Sequence, residues 1–396
     1  MPKVKYLILG AGPSGLTFAH QLLEKGCKDF LLLDKEAIAG GLCRSENVDG
    51  APLDIGGGHF LESRNKECLE FVFKFMPEEE WNVFHRVSQI NIKNNIVDYP
   101  LEASLWQFPI DEQVDYLMSI AKAGCTLEKP QPEDFASWIR WKLGDKITDE
   151  YMLPYNKKIW GIDLSEIGTY WLHKLPDVSL KETLHSCLEK KTFGHIPAHL
   201  NFYYPKKFGY GEVWKRMGEA LGDKLILNEE IKSIDIDTLT INNIQANLVI
   251  NTIPWQTWAK HTSLDPEITD IVNKLKHASI DVDYHNQSLN SNAHWIYDPA
   301  EDKPYHRILN RETFSIGSKG YWTESNSKHG YKSSSKKFQN PFAYPINTIG
   351  KPELVEKLTK WANKKSIIPL GRWGTWCHIN SDVAVSQAIQ AAKSHF

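Results

Sequence analysis

Apolar residues run unbroken through Tyr6, Leu7, Ile8 and Leu9, halt at a glycine-rich turn, and resume at helical spacing in "PSGLTFAHQLLEKG". A short apolar run bounded by turn residues predicts a buried strand, and the spacing after it predicts an amphipathic helix ending at Gly26. The next apolar run, "DFLLLDK", predicts a second strand that ends at Asp34. Strand, helix and strand in this order predict a right-handed βαβ unit and a parallel sheet. Between about residues 100 and 190 the pattern turns helical, and in "DEQVDYLMSIAKAG" Val114, Leu117, Met118 and Ala121 share one face. Strand-like segments near 86–99 and 278–350 predict an antiparallel sheet, and "ANLVINTIP" predicts a further strand of the first sheet. The Ser-, Gly- and Lys-rich stretch at 315–337 reads as a long loop beside the active site. Near the end, "LGRWGTWCHINSDVAVSQAIQAAK" gives a glycine-flanked turn and a small-residue helix that Asn380 or Ser381 can cap.

Composition narrows the function classes. The chain has 396 residues, 41% hydrophobic and 24% charged, which is ordinary for a globular protein and long enough for two or three structural units. A formal net charge of -3, without long runs of like charge, gives no nucleic-acid footprint and no polybasic membrane patch. The six cysteines lack C-x-x-C spacing, so free thiols in a reducing, cytoplasmic setting are expected and a metal site is not. "YLILGAG" is too short to span a membrane.

The chemistry begins at the first turn. Gly10, Gly12 and Gly15 have G-x-G-x-x-G spacing between the strand and the helix. Gly10 permits the tight turn, Gly12 lets a pyrophosphate approach the helix N-terminus, and Gly15 lets helix and strand pack closely. Asp34, about twenty residues on, is placed to accept hydrogen bonds from a ribose hydroxyl. A second unusual run, "LDIGGGHFL" at 53–61, strips side chains from three successive positions and then supplies His59. Such a run lets a ligand or another backbone come very close. By itself, His59 reads first as a satisfied, partly buried histidine at a strand end, because a lone histidine rarely proves catalytic.

The segment after the second strand decides among dinucleotides. "KEAIAGGLCRSENVDGAPLDIGGGHF", with Gly40, Gly41 and Arg44, resembles the continuation found in the amine oxidase and protoporphyrinogen oxidase-like FAD superfamily. Further matches occur in order along nearly the whole chain: "YPLE", "PYNKKIW", a second "WL", "FYYPKKFGYGEVW", "HWIYDPAEDKPYHR" and "GRWGTW". Together they resemble the UDP-galactopyranose mutase family, in particular its eukaryotic-type branch. The resemblance implies an α/β fold with a Rossmann-like FAD-binding domain, an inserted helical bundle and an antiparallel substrate sheet. The implied boundaries are 1–85, 205–260 and 350–396 for the discontinuous FAD domain, 100–190 for the helical domain, and 86–99 with 278–349 for the sheet.

The resemblance also implies a reaction. Reduced FAD would attack the anomeric carbon of a nucleotide sugar through N5, and the ring would open and reclose with a changed size and no net redox. It places FAD on Gly10, Gly12, Pro13, Ser14, Gly15, Asp34, Lys35, Gly41, Leu42, Gly57, Gly58, Arg372, Asn380 and Asp382. It gives His59 and Arg307 catalytic roles, with Arg307 as the cation facing the departing diphosphate. Substrate contacts would come from Tyr155, Asn156, Trp160, Trp295, Tyr297, Phe314, Tyr344 and His378. NADPH or another reductant is implied as the electron source, although no separate NADPH motif is visible, and a homo-oligomer is compatible. Three departures weaken UDP-galactose as the substrate: "HKLPDV" with Lys174 where the family has an arginine, and Phe314 and His378 where it has tyrosines. An FAD-dependent oxidase or dehydrogenase is therefore the alternative, followed by a non-catalytic nucleotide-sugar binder.

Overall fold

The computed structural model describes residues 2–192, 201–329 and 336–395. Lys3–Leu9 forms the first strand and pairs in parallel with Phe30–Leu33 on one side and Ile244–Asn251 on the other. Its last four residues are all buried, as expected of a parallel strand covered on both faces. Across this sheet the order is Ile234–Asp235, Thr240–Ile241, Ile244–Asn251, Lys3–Leu9, Phe30–Leu33 and Leu225–Ile226, with Ile367–Pro369 also joined to Ile244–Asn251. The helix Pro13–Glu24 packs against the terminal helix Ser381–Ser394, whose Ala384, Ala388 and Ala392 are buried. Small side chains at i, i+4 and i+8 let the two helices approach closely.

A second seven-stranded sheet runs in the order Lys337–Pro345, His277–His285, Tyr321–Asn326, Tyr305–Leu309, Trp295–Tyr297, Ser88–Ile92 and Asn95–Asp98. Its pairs are antiparallel except Trp295–Tyr297 with Ser88–Ile92, which is parallel. This sheet corrects the expected loop at 315–337. Tyr321–Asn326 is a buried inner strand, paired on both sides, and Lys336 and Lys337 lead into the next strand. Residues 330–335 of that expected loop lie outside the described residues. Tertiary pairing has overridden a composition rich in Ser, Gly and Lys.

The helical region contains Ile110–Ala121, Phe135–Ile147, Leu153–Trp160 and Leu180–Glu189. The first of these is helical as expected, but its expected apolar face is not the one that packs. Tyr116 and Ile120 are buried, whereas Val114 and Met118 are exposed. Phe135–Ile147 passes through a break at Gly144 into a wide turn at Thr148–Met152 and then into Leu153–Trp160, which ends at left-handed Gly161. The segment carrying Tyr155, Asn156 and Trp160 is thereby set against Tyr305–Leu309 and Tyr321–Asn326.

Candidate active site

Two glycine turns face each other at the edge of the first sheet. Gly40 donates its N–H to the carbonyl of Ala11 at 2.8 Å, and a Cβ on Gly41 would stand 3.2 Å from the Cα of Gly12. A Cβ on Gly15 would lie 2.0 Å from the carbonyl oxygen of Gly10, so only glycine allows the helix to start there. Asp34 accepts the Ala11 N–H at 2.6 Å and the Glu36 N–H at 2.9 Å. Burial raises its pKa and these two amides oppose the rise. The helix Pro13–Glu24 has no side-chain cap at Gly12 and no acid in its first turn, which leaves its positive end open to an anion. Ser14 is buried where a Cβ on Gly371 would meet its Oγ at 2.1 Å. Asn380 caps none of the N–H groups of the terminal helix, Asp382 sits in its first turn, and Ser381 Oγ is 2.6 Å from the Tyr210 hydroxyl. The Lys35 ammonium is largely exposed and lies 3.8 Å from Glu36.

The triple-glycine run has protein neighbours at all three positions. A Cβ on Gly56 would fall 1.9 Å from the carbonyl oxygen of Leu42. On Gly57, whose φ is +97°, it would fall 2.9 Å from Glu324 Oε1, and on Gly58 it would fall 2.1 Å from Leu309 Cδ2. The close approach expected of this run is therefore one between polypeptide segments.

His59 comes next in the chain and is partly buried. Its Nδ1 lies 2.9 Å from the carbonyl oxygen of Gly57. A carbonyl only accepts, so Nδ1 carries the hydrogen and Nε2 keeps a lone pair. Burial first, then the Arg372 and Arg307 cations, lower its pKa to about 3, so the ring is neutral at physiological pH. Arg307 projects from the strand Tyr305–Leu309. Its Nε donates to Glu324 Oε2 at 3.0 Å, its Nη2 donates to the same oxygen, and Nη2 stands 3.5 Å from the Tyr344 hydroxyl. Glu324, on the strand that the sequence pattern does not predict, is completely buried.

An aromatic wall surrounds this pair. Tyr155 meets Tyr297 edge-on with ring centres 5.5 Å apart, and Tyr344 lies 4.9 Å from His378 and 6.3 Å from Trp160. Asn156 is occupied internally: its Nδ2 donates to the Met152 carbonyl, and its Oδ1 accepts from Trp160 Nε1 at 3.1 Å. It fixes the indole and is not free for a ligand. Phe314 is also placed away from the cleft, fully buried and edge-on to Phe60, Tyr204 and Trp322. Arg372 spends its guanidinium on the carbonyls of Ile379 and Ala343, so it holds the C-terminal turn against the second sheet. Lys174 ends a short helical turn at Leu172–Lys174.

Arg86 is a cleft residue that the sequence pattern does not single out. Its Nε donates to Ser88 Oγ and its Nη2 to the Tyr297 hydroxyl, both at 2.8 Å, and the guanidinium lies over Trp295. It lies close enough to Arg307 for the two cations to repel each other. Its signal is hidden because Tyr297 and Trp295, the rings it meets, come from a strand more than 200 residues away in sequence, and only Ser88 is local.

Comparison with known proteins gives this geometry a context. Residues 8–75 match the family described as an NAD(P)-binding Rossmann-like domain. UDP-galactopyranose mutase of Mycoplasma pneumoniae is 24% identical over 410 residues, spanning 99% of this chain and 96% of the relative. The crystal structure of reduced UDP-galactopyranose mutase superposes with a TM-score of 0.89 at 23% identity, covering 99% of this chain and 95% of that one. Over nearly its whole length the chain is similar to UDP-galactopyranose mutases. Another relative of these mutases, dTDP-fucopyranose mutase of Escherichia coli, is 22% identical over 402 residues, covering 98% of this chain and 97% of its own. These mutase relatives are bacterial and lend no weight to the eukaryotic-type branch. The fold is shared more widely: putrescine oxidase superposes at a TM-score of 0.65 with 14% identity, covering 99% of both chains. Among the described residues no helix is long and apolar enough to cross a membrane.

Proposed function

We propose that this protein is a flavin-dependent isomerase that interconverts the pyranose and furanose forms of a nucleotide sugar without net redox. The observation that carries the reading is the convergence of Arg307, Tyr344, Tyr155 and Tyr297 beside the neutral His59, in a chain related to the mutases over its full length. The first sheet fits FAD. Gly12 and Gly41 form a cradle that a Cβ would fill, and two helix N-termini, at Pro13 and Ser381, lack side-chain caps. Gly10, Gly12, Pro13, Ser14, Gly15, Gly41 and Leu42 would line the pyrophosphate turn. Asp34 and Lys35 would stand at the ribose, and Gly57, Gly58, Asn380 and Asp382 would stand toward the ring and its side chain. Bound in its reduced form, kept so by NADPH or another reductant, FAD would supply an electron-rich centre able to displace a nucleotide from an anomeric carbon.

The chain's own residues then have distinct tasks. Negative charge grows on the diphosphate as it leaves, and preorganised cations lower that barrier more in a dry cleft than in water. Arg307 and Arg86 supply them, and Arg86 offsets the absence of the expected family arginine near Lys174. Tyr155, Tyr297 and Trp160 form the platform for base and sugar, and His378 and Tyr344 close it. Neutral His59 offers an acceptor at Nε2 for a hydroxyl proton. Six free thiols agree with a cytoplasmic setting.

The reading is tested anaerobically. Dithionite-reduced protein is given UDP-, dTDP- and GDP-hexoses, and products are separated and weighed. An isomer of unchanged mass with no reductant consumed is expected, and it names the sugar. Stoichiometric oxidation of a substrate would replace the mutase reading with the oxidase one.

A further inference from the structure

Glu324 stands within the strand Tyr321–Asn326 with no exposed surface. A carboxylate removed from water has to be met by charge and by hydrogen bonds. Here it is met from two sides. Oε1 accepts the backbone N–H of Gly58 at 2.7 Å, and Oε2 accepts Nε of Arg307 at 3.0 Å together with its Nη2. His306 Nε2 is 3.9 Å from Oε2, but burial and the neighbouring Arg307 charge push its pKa well below the ordinary histidine range. The imidazole is neutral, and Arg307 is the cation that balances the carboxylate.

We propose that Glu324 is a positioning residue, the single group that holds the substrate-facing Arg307 and the segment bearing His59 at a fixed distance from each other. The proposal rests on the reading that Arg307 faces a diphosphate. Two independent acceptors are what the site requires, one for a backbone N–H of the glycine run and one for a guanidinium. Glutamine has the same shape but one oxygen and one NH2 group, so whichever way it turns, either Gly58 N–H or Arg307 faces a donor. Aspartate keeps both oxygens but is one methylene shorter, and it reaches only one of the two partners. By occupying two N–H directions of Arg307, Glu324 also leaves the remaining edge of the fork aimed at the cleft.

The test uses full-length flavin-loaded protein and the variants Glu324→Gln, Glu324→Asp, Arg307→Ala and Arg307→Ala/Glu324→Gln. Flavin content, UDP affinity by calorimetry, melting temperature and turnover are measured for each. Glu324→Gln is expected to keep its flavin and to bind UDP within about threefold of the parent. Its kcat should fall by about 10²-fold, the scale of a misplacement on the order of 1 Å. Arg307→Ala strands a buried carboxylate, so it should melt about 3 °C or more below the double variant, whose neutral amide removes the stranded charge. Turnover should stay lost in both. Parental kcat in Glu324→Gln would overturn the proposal. So would parallel losses of flavin content and turnover, which would make Glu324 a structural ion-pair partner only. If the parent isomerises no sugar, the mutase reading fails by itself. In that case Glu324 is judged by the melting order and by whether Arg307→Ala weakens UDP binding less in the Glu324→Gln background than in the parent.

Discussion

The guanidinium carbon of Arg86 lies 4.7 Å from the ring centre of Trp295, and this stacking keeps a cation in a cleft whose other arginine is already balanced by Glu324. Its hydrogen-bonding partners, Ser88 and Tyr297, are neutral. Arg86 is thus hydrogen-bonded by neutral groups, and the Glu62 carboxylate lies near enough to favour its charge. Arg86→Gln should weaken UDP binding about tenfold, the scale of one charge-assisted hydrogen bond, and leave uridine binding unchanged. Arg86→Lys should recover only part of the loss, because an ammonium neither stacks flat nor forks. Equal losses for UDP and uridine in calorimetry would assign Arg86 to packing alone.

His59 gives a prediction about acidity. With its pKa lowered to about 3, the imidazole stays neutral across the working range. The acid limb of a kcat/KM profile should then show no inflection near the ordinary histidine pKa. Histidine NMR should find the His59 ring unprotonated at pH 5, and a protonated signal there would remove it as an acceptor.

The glycine run predicts a rank order. The obstacle to a methyl on Gly56 is the backbone carbonyl of Leu42, whereas on Gly58 it is the tip of Leu309. A side-chain tip yields more easily than a backbone. Gly58→Ala should cost about 1–3 kcal/mol, as overpacking usually does. Gly56→Ala should cost more, and denaturant unfolding of both proteins would reveal a reversed order. Leu309→Ala should relieve part of the Gly58→Ala loss and none of the Gly56→Ala loss.

Two buried acids pull stability down between mildly acid and neutral pH, while the histidines held neutral by burial, such as His59, His294 and His306, pull it up. Burial raises the pKa of Asp54 and that of Glu102 each to about 7. The folded state therefore holds these protons more tightly than the unfolded chain does. The resulting stabilisation is complete below the unfolded carboxylate pKa, near 4, and is lost as pH rises through about 7. Between pH 4.5 and 7.5 the melting-temperature difference between the parent and Glu102→Gln should move in favour of the variant as pH rises, and a constant difference would remove Glu102 as a titrating group.

Local pattern makes the first sheet legible. Lys3–Leu9, the glycine turn, the helix to Glu24 and Asp34 succeed one another without a break, and each signal lies within a few residues of the next. The active-site wall is legible mainly through resemblance, because aromatics such as Tyr155 and Trp160 look the same in a core as in a pocket. The least legible parts depend on distant partners. Tyr321–Asn326 reads as a loop because Gly, Ser, Thr and Asn surround it, and it becomes a strand only through pairing with His277–His285 and Tyr305–Leu309. Glu324 is hidden along with that strand. On the helix Ile110–Ala121 periodicity gives the element but not the buried side, since Tyr116 and Ile120 pack inward while Val114 and Met118 remain apolar and exposed.

The three glycines at 56–58 lie against Leu42 on one side and Glu324 and Leu309 on the other, and so they weld the layer of the first sheet to the second sheet. On the glycine side this weld has no side chain to trade. Change in such a protein has to enter elsewhere, through the interchangeable rings at positions such as Tyr155, Tyr344 and His378. On the proposed function, a lineage can then move from one sugar nucleotide to another by repainting the wall while the joint between the layers stays as it is.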